Sequence, residues 1–150
     1  MKIRKAAIKD IKQIAELLHE YDVHEHKLDR KIKIEKIKDI ISFNKKLIMH
    51  PKVVFFVAEE DGKLVGTISG EYRDSAVDRV GIFHNIIVTE KFRRKGIGKK
   101  LLKQIEKYFK KKRCKKMHSL VRPKNKRALK FYTKLGFKIE EGFRIDKKLK

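Results

Sequence analysis

The chain has 150 residues, enough for one domain with a real core, and its 41% hydrophobic and 41% charged content is a soluble globular balance. Forty-two Lys and Arg against nineteen Asp and Glu leave a formal charge of +23, which favours anionic partners but does not fix a fold. No apolar run approaches the roughly 20 residues of a membrane span, and the lone Cys114 excludes both an internal disulfide and a multi-cysteine zinc site.

The start, "MKIRKAAIKDIKQIAELL", lacks an apolar block and a small-residue cleavage site, so no signal peptide is read and a cytoplasmic location is expected. Amides are scarce: Asn44, Asn85, Asn125, Gln13 and Gln104 are the full set. With abundant isoleucine and no tryptophan, this points to a heat-adapted source, although the usual glutamate enrichment is missing.

No repeat and no Pro/Gly/Ser-rich linker divides the chain, so a single domain over 1–150 is expected. "MKIRKA" alternates and reads as a first strand. Asp10 stands at a helix start with Gln13 three residues on as its reciprocal partner. Ile11, Ile14, Leu18 and Tyr21 follow at helical spacing. "HEYDVHEHKLDR" at 19–30 shows no clear period and is expected to be a loop. Ile34, Ile37, Ile41 and Ile48 predict a second helix that ends before Pro51.

"VVFFVAEEDGKLVGTISGEYR" predicts a hairpin turning at Asp61-Gly62, a favoured tight-turn pair. "VGIFHNIIVT" reads as a strand apolar on both faces, as at a sheet centre. Past "RRKGIG", Leu101, Leu102, Ile105 and Phe109 share one helical face. "MHSLV" predicts a short strand. Asn125 opens a helix that carries Ala128, Phe131, Tyr132 and Leu135 on one side, and Gly136 stops it. "KIEEGFRIDKKL" predicts one or two closing strands. The order βααβββαβαβ(β) implies an α/β (α+β) fold: one mixed, largely antiparallel sheet with helices packed on it.

The turn "VTEKFRRKGIGKKLL" ends a central strand and begins a helix. Helix N-termini present unpaired N–H groups and partial positive charge, which suit phosphate. Glycines allow close approach of backbone, and Arg93, Arg94, Lys95 and Lys99 add full charges. A pyrophosphate fits such a place. The dinucleotide fingerprint fails, because Leu101 stands where its third glycine belongs, and no P-loop is present. The turn alone leaves a plain basic helix start as an equal alternative.

A second motif decides between them. "NKRALKFYTKLGFK" at 125–138, taken with the turn, resembles the GCN5-related N-acetyltransferase (GNAT) family. That family's pyrophosphate signature, R/Q-x-x-G-x-G/A, is matched by Arg93, Gly96 and Gly98. Its late signature, N-x-x-A-x-x-F-Y-x-x-L-G-F, is matched at every fixed position from Asn125 to Phe137. The opening strand and helix are similar too, so the resemblance covers nearly the whole chain. It implies the acyl-CoA N-acyltransferase fold, in which the two central parallel strands splay apart, and direct transfer of an acetyl group from acetyl-CoA to a primary amine.

By the same resemblance, the pantetheine arm of CoA lies in the splay and pairs with backbone of Ile86 and Val88. The N–H groups of Arg94, Lys95, Gly96, Ile97, Gly98 and Lys99 hold the pyrophosphate. Asn125 touches the arm from the other side, and an N–H near Ile87 or Val88 faces the developing oxyanion. Tyr132 faces the sulfur as proton donor, its plain alternative being a core aromatic. Some relatives, including diamine acetyltransferases, carry a carboxylate base on the strand before the turn, where this chain has His84. Others use a glutamate on the next strand, where Leu120 stands. His84 is therefore the candidate base, with His118 and Glu71 as further candidates and a water relay as the alternative.

In the family, the 19–30 segment lies over the acceptor cleft. Glu20, Asp22 and Glu25 form an acidic cluster there, which would receive a cationic amine. Its histidines have no tight metal-ligand spacing, and no metal is expected. From Lys91 to Met117 there are fourteen Lys and Arg and one acid. Without interleaved aromatics this stretch is read as a solvated helix face that partly serves the CoA 3′-phosphate, and functional nucleic-acid binding is not expected. The acceptor is a small amine or polyamine by weak preference, with a protein N-terminus or lysine as the alternative. A non-catalytic CoA-sensing or polyanion-binding module is the rival of another class. The family often pairs, so a homodimer is one option, and the sequence leaves the oligomeric state open.

Overall fold

A computed structural model describes residues 1–140. Contacts divide the chain into a unit of Met1–Leu120 and a second unit beginning at Val121. The first unit holds one sheet of five strands in sequential order, β1 (Lys2–Lys5), β2 (Val53–Glu60), β3 (Lys63–Asp74), β4 (Arg79–Val88) and β5 (Lys116–His118). The pairings are antiparallel except β4 with β5, which is parallel. Helices α1 (Ile11–Leu28), α2 (Ile37–Ile48) and α3 (Ile97–Lys111) complete it. The second unit contains α4 (Lys126–Lys134). The expected closing strands fall largely outside the described residues, and 137–140 carry no regular structure.

The hairpin forms as its turn residues require. Asp61 (φ 48°) and Gly62 (φ 77°) both take left-handed backbone, the geometry that joins twisted strands with two residues. Strand alternation then divides the core. Phe55 and Val57 of β2 join Ile14 and Leu17 of α1 and Ile87 of β4 in one buried cluster, on which Leu47 and Ile48 of α2 also pack. The residues between them turn to α3, where Phe56 meets Tyr108 edge to face at 6.3 Å.

Helix α3 lies close on its face of the sheet because that face is paved with glycine. A Cβ at Gly70 would sit 2.5 Å from Ile105 and 2.8 Å from the Phe109 ring. At Gly81 it would sit 2.5 Å from the same ring. Ile105 and Phe109 are themselves 0% and 2% exposed, so neither has room to yield.

Two local expectations are corrected. The 19–30 stretch is not a loop: α1 continues unbroken to Leu28. The helical period was hidden because Glu25, 1% exposed, takes the core-facing position where an apolar residue is sought. Nor do Asp10 and Gln13 form a reciprocal cap. Asp10 accepts from Arg4 Nη1 at 2.7 Å, Arg4 Nη2 at 2.9 Å and the Ala7 N–H at 2.7 Å. Gln13 Oε1 instead accepts from the Leu64 N–H at 2.8 Å, tying α1 to β3. The Arg4 hydrogen bonds hold the Asp10 carboxyl below the usual carboxylate range, against the opposing effect of burial.

Two stability outcomes follow. Gly81→Ala lowers unfolding free energy by about 1–3 kcal/mol, and combining it with Phe109→Leu costs less than the sum of the two, as measured by denaturant melts. Asp10→Asn costs about 2 kcal/mol at neutral pH. The Asp10 contribution is fully present above about pH 4 and is lost as pH falls through its lowered native pKa, so the variant shows a shallower acid-side decline.

Candidate active site

Strand β4 is the spine of the site. It pairs with β5 at three positions only, Val80 with Lys116, Gly81 with Met117 and Ile82 with His118. From Phe83 to Val88 that edge has no strand partner among the described residues. On its other edge the register with β3 slips: Ser69 faces His84 and Thr67 faces Ile87, so Asn85 and Ile86 together oppose Ile68. Asn85 absorbs the bulge with φ 43°, a value asparagine tolerates better than most residues. Bulge and edge together leave backbone hydrogen-bonding groups between His84 and Ile87 without a strand partner on the β5 side among the described residues.

Beyond β4, Thr89 donates to the Val65 carbonyl at 3.0 Å and a short 3₁₀ turn spans Glu90–Phe92. Arg94 (φ 65°) and Gly96 (φ 77°) then bend the chain into α3. The first amide of this helix with a carbonyl partner is that of Lys100, which donates to Gly96 at 3.1 Å. The amides of Arg94 through Lys99 have no acceptor among the described residues. Arg94, Lys95 and Lys99 stand exposed around them, with Lys95 Nζ 5.0 Å above the Phe92 ring. Ile97 is buried at 2% and anchors the turn by its side chain, leaving only its N–H to the site.

Arg93 is engaged differently from its neighbours. Its Nε donates to the Val88 carbonyl at 2.9 Å and its Nη2 lies 3.7 Å from Glu20. Its fork clasps the end of β4 to α1, and the Val88 carbonyl is thereby occupied. Glu20 belongs to this clasp. Glu25 is buried in the last turns of α1.

On the α1/α2 side of the sheet, register brings three other candidates to one face. Ser69 pairs with His84, Glu71 with Ile82, and Ile82 with His118. His84 Nε2 lies 3.8 Å from Glu71 Oε1, which also accepts from Arg73 Nη2 at 2.7 Å. Partial burial, with the His84 side chain still 48% exposed, pushes its imidazole below its ordinary value near 6.5; Glu71 opposes this, while Arg73 and His118 add to it. His84 is therefore mainly neutral at pH 7 and can accept a proton.

His84, Glu71 and Asp22 line an open cleft of about 700 Å³ between α1, α2 and strands β2–β4. Three further polar residues of that lining, Glu35, Asp39 and Asn44, come from α2 or the segment before it, and sequence reasoning missed them. Nothing local marks them, because only the docking of α2 over β2 brings them to the rim and wall of one cleft. His19 Nδ1, 3.0 Å from the Glu35 carbonyl, and His26 Nδ1, 2.6 Å from that of Ile32, fix the segment that carries Glu35.

In the second unit, Asn125 Oδ1 caps α4 by accepting from the Ala128 N–H at 3.0 Å. Gly136 (φ 83°) ends the helix turn, and the Tyr132 ring packs against Phe131 and Phe137 with centroids 5.2 and 5.5 Å away.

Among the described residues, the mixed sheet leaves its central edge without a strand partner and ends in a turn of amides without acceptors, an arrangement that agrees with an acyltransferase-type fold. The chain belongs to the acetyltransferase (GNAT) family, whose model matches residues 11–137, and it is an N-acetyltransferase. An acetyltransferase of Pectobacterium atrosepticum is 30% identical over 100 residues, which are 67% of this chain and 68% of that protein. The solved aminoglycoside 6′-N-acetyltransferase of Acinetobacter haemolyticus superposes with TM-score 0.82 at 20% identity over all of both chains. AAC(6′)-Iy, solved with the bisubstrate analogue CoA-S-monomethyl-acetylneamine, gives 0.79 at 21% identity over 99% of this chain and 97% of its own. Among the described residues no helix is long and apolar enough to cross a membrane.

The His84 environment gives a signed expectation. Its ring protons titrate in an NMR series with a midpoint below 6.5, and Glu71→Gln moves that midpoint further down by removing the charge that favours imidazolium.

Proposed function

We propose that both units serve one domain that transfers an acetyl group from acetyl-CoA directly to a primary amine. The run of amides from Arg94 to Lys99, without acceptors among the described residues, carries this reading. Six N–H groups at a helix start, ringed by Arg94, Lys95 and Lys99, match the two phosphates of a CoA pyrophosphate in charge and in hydrogen-bonding sense. The bare β4 edge suits the amide-bearing pantetheine arm, with Ile86 the better placed backbone because Arg93 takes the Val88 carbonyl. The solved relative with a CoA bisubstrate analogue supports the same co-substrate.

Acetyl-CoA supplies the activated acyl carbon; the amine nitrogen bonds to that carbon, its C–S bond breaks, and the products are the amide and CoA thiol. A lysine-like amine has pKa ~10.4, so only about one molecule in a few thousand is neutral at pH 7. His84, neutral and facing the cleft, takes the amine proton directly or through water. Backbone N–H groups near Ile87 and Val88 stabilise the oxygen as charge develops on it. Tyr132 is assigned to the departing sulfur on its place in the matched motif. Proton transfer from a phenol near pKa 10 to a thiolate near 8.5 is uphill, so its first contribution is a hydrogen bond to the leaving thiolate.

Three measurements bear on these roles. The kcat/KM profile has an acid limb with a midpoint below 6.5, falling as pH drops because His84 becomes charged; His84→Gln removes the limb and lowers the plateau about 10²-fold. Tyr132→Phe lowers kcat by about 10²-fold with little change in acetyl-CoA KM. Gly96→Val, which forces a β-branched residue to φ 77°, weakens CoA binding about tenfold in calorimetry while the fold persists. Unchanged CoA affinity in a folded Gly96→Val protein contradicts the pyrophosphate assignment, and CoA binding without thiol release for any amine favours a CoA-sensing module.

A further inference from the structure

The cleft beside His84 reverses the sign of the protein around it. The chain carries +23, yet the cleft lining holds Asp22, Glu35, Asp39 and Glu71 and neither Lys nor Arg. Glu35 and Asp39 make no ion pair among the described residues, so their charge is not already neutralised within the fold. Each is exposed to an arriving solute.

Asn44 adds an independent sign of a ligand. Its side chain is 7% exposed and lines the cleft. Its Nδ2 donates to the Ile40 carbonyl at 2.9 Å, which fixes the amide and turns Oδ1 away from the helix backbone. That oxygen has no protein donor among the described residues and keeps solvent access, and Asn44 lines the cleft. A helix interior is a poor place for asparagine unless its acceptor is wanted there.

Between these oxygens the wall is apolar. Leu18, Ile40, Leu47 and Val53 form it, and Phe43, 64% exposed, forms its outer lip. A wall of hydrocarbon punctuated by acceptors suits a chain of methylenes punctuated by ammonium groups.

We infer that the acceptor is an aliphatic di- or polyamine, one nitrogen delivered to His84 and a second held by Glu35, Asp39 and the Asn44 oxygen. This rests on the acetyltransferase reading above. Among the described residues, no lysine or arginine lines the cleft. At physiological salt, charges beyond about 8 Å are largely screened, so the unpaired carboxylates of Glu35 and Asp39 set the local field more than the net charge of the whole, while Glu71 shares its charge with Arg73. A monoamine gains only the contacts at the reacting end.

Calorimetry with n-butylamine, 1,4-diaminobutane, a linear triamine with three- and four-carbon spacers, and neamine, beside CoA-release assays with the same compounds, tests it. The triamine binds about tenfold or more tighter than n-butylamine at 0.15 M salt. The Glu35→Gln/Asp39→Asn double variant, both positions exposed, loses about tenfold for the triamine, keeps n-butylamine within about twofold, and melts at the wild-type temperature. Equal affinity for mono- and triamine, or an unchanged triamine affinity in the double variant, overturns the inference. So does tight binding of neamine alone, since a rigid amino sugar cannot follow the apolar wall as an alkyl chain does. Selective triamine binding without CoA release upholds the cleft assignment and contradicts the acetyltransferase reading. CoA release at the same KM for every amine does the opposite.

Discussion

The seat of α3 on the sheet governs everything downstream. Gly70 and Gly81 let Ile105 and Phe109 approach within distances that no Cβ would permit. Leu101, one helical repeat nearer the start, lies 3.2 Å from where a Cβ of Gly66 would be. Close packing of this kind holds a helix to a narrow range of positions. Its N-terminus is thereby fixed at the end of β4, and six amides are presented where a strand edge runs out of partners.

A second constraint works on β4 itself. Pairing with β5 stops at Ile82, and the bulge at Asn85 and Ile86 interrupts pairing with β3 on the opposite edge. Among the described residues, one strand is therefore held by β3 on one side and lacks a strand partner beyond the β5 pairing on the other. The same bulge separates His84, which lines the cleft under α2, from Ile87, which is buried against α1. Arg93 completes the arrangement by tying the Val88 carbonyl to α1 through Glu20. Charge is divided in the same way, with lysine and arginine around the turn into α3 and carboxylates around the cleft beside His84.

Much of this was legible because it is local. Asp61-Gly62, Asn125 and Gly136 each demand a particular backbone, and each took it. Gly96 at φ 77° is the same kind of signal at the turn. What stayed hidden depends on tertiary burial. Glu25 broke the apolar period of α1 although the helix runs on past it, because a buried carboxylate looks like a loop residue in sequence. Arg4 captured Asp10 from across the first turn, so a capping pattern that reads well locally did not form. Glu35, Asp39 and Asn44 come to line one cleft only when α2 covers the sheet, and one helix among many lysines gives no hint of that. The bulge had a faint mark, a lone asparagine in an apolar strand.

The most direct measurement is an amide ¹H–¹⁵N correlation spectrum of the isotope-labelled protein, recorded as CoA is added. The resonances of Arg94 through Lys99 should shift most and their hydrogen exchange should slow, with Ile86 following as the β4 edge acquires a partner. If CoA binds and those six amides stay where they were while others move, the turn does not hold the pyrophosphate, and the chemistry assigned to this end of β4 belongs elsewhere.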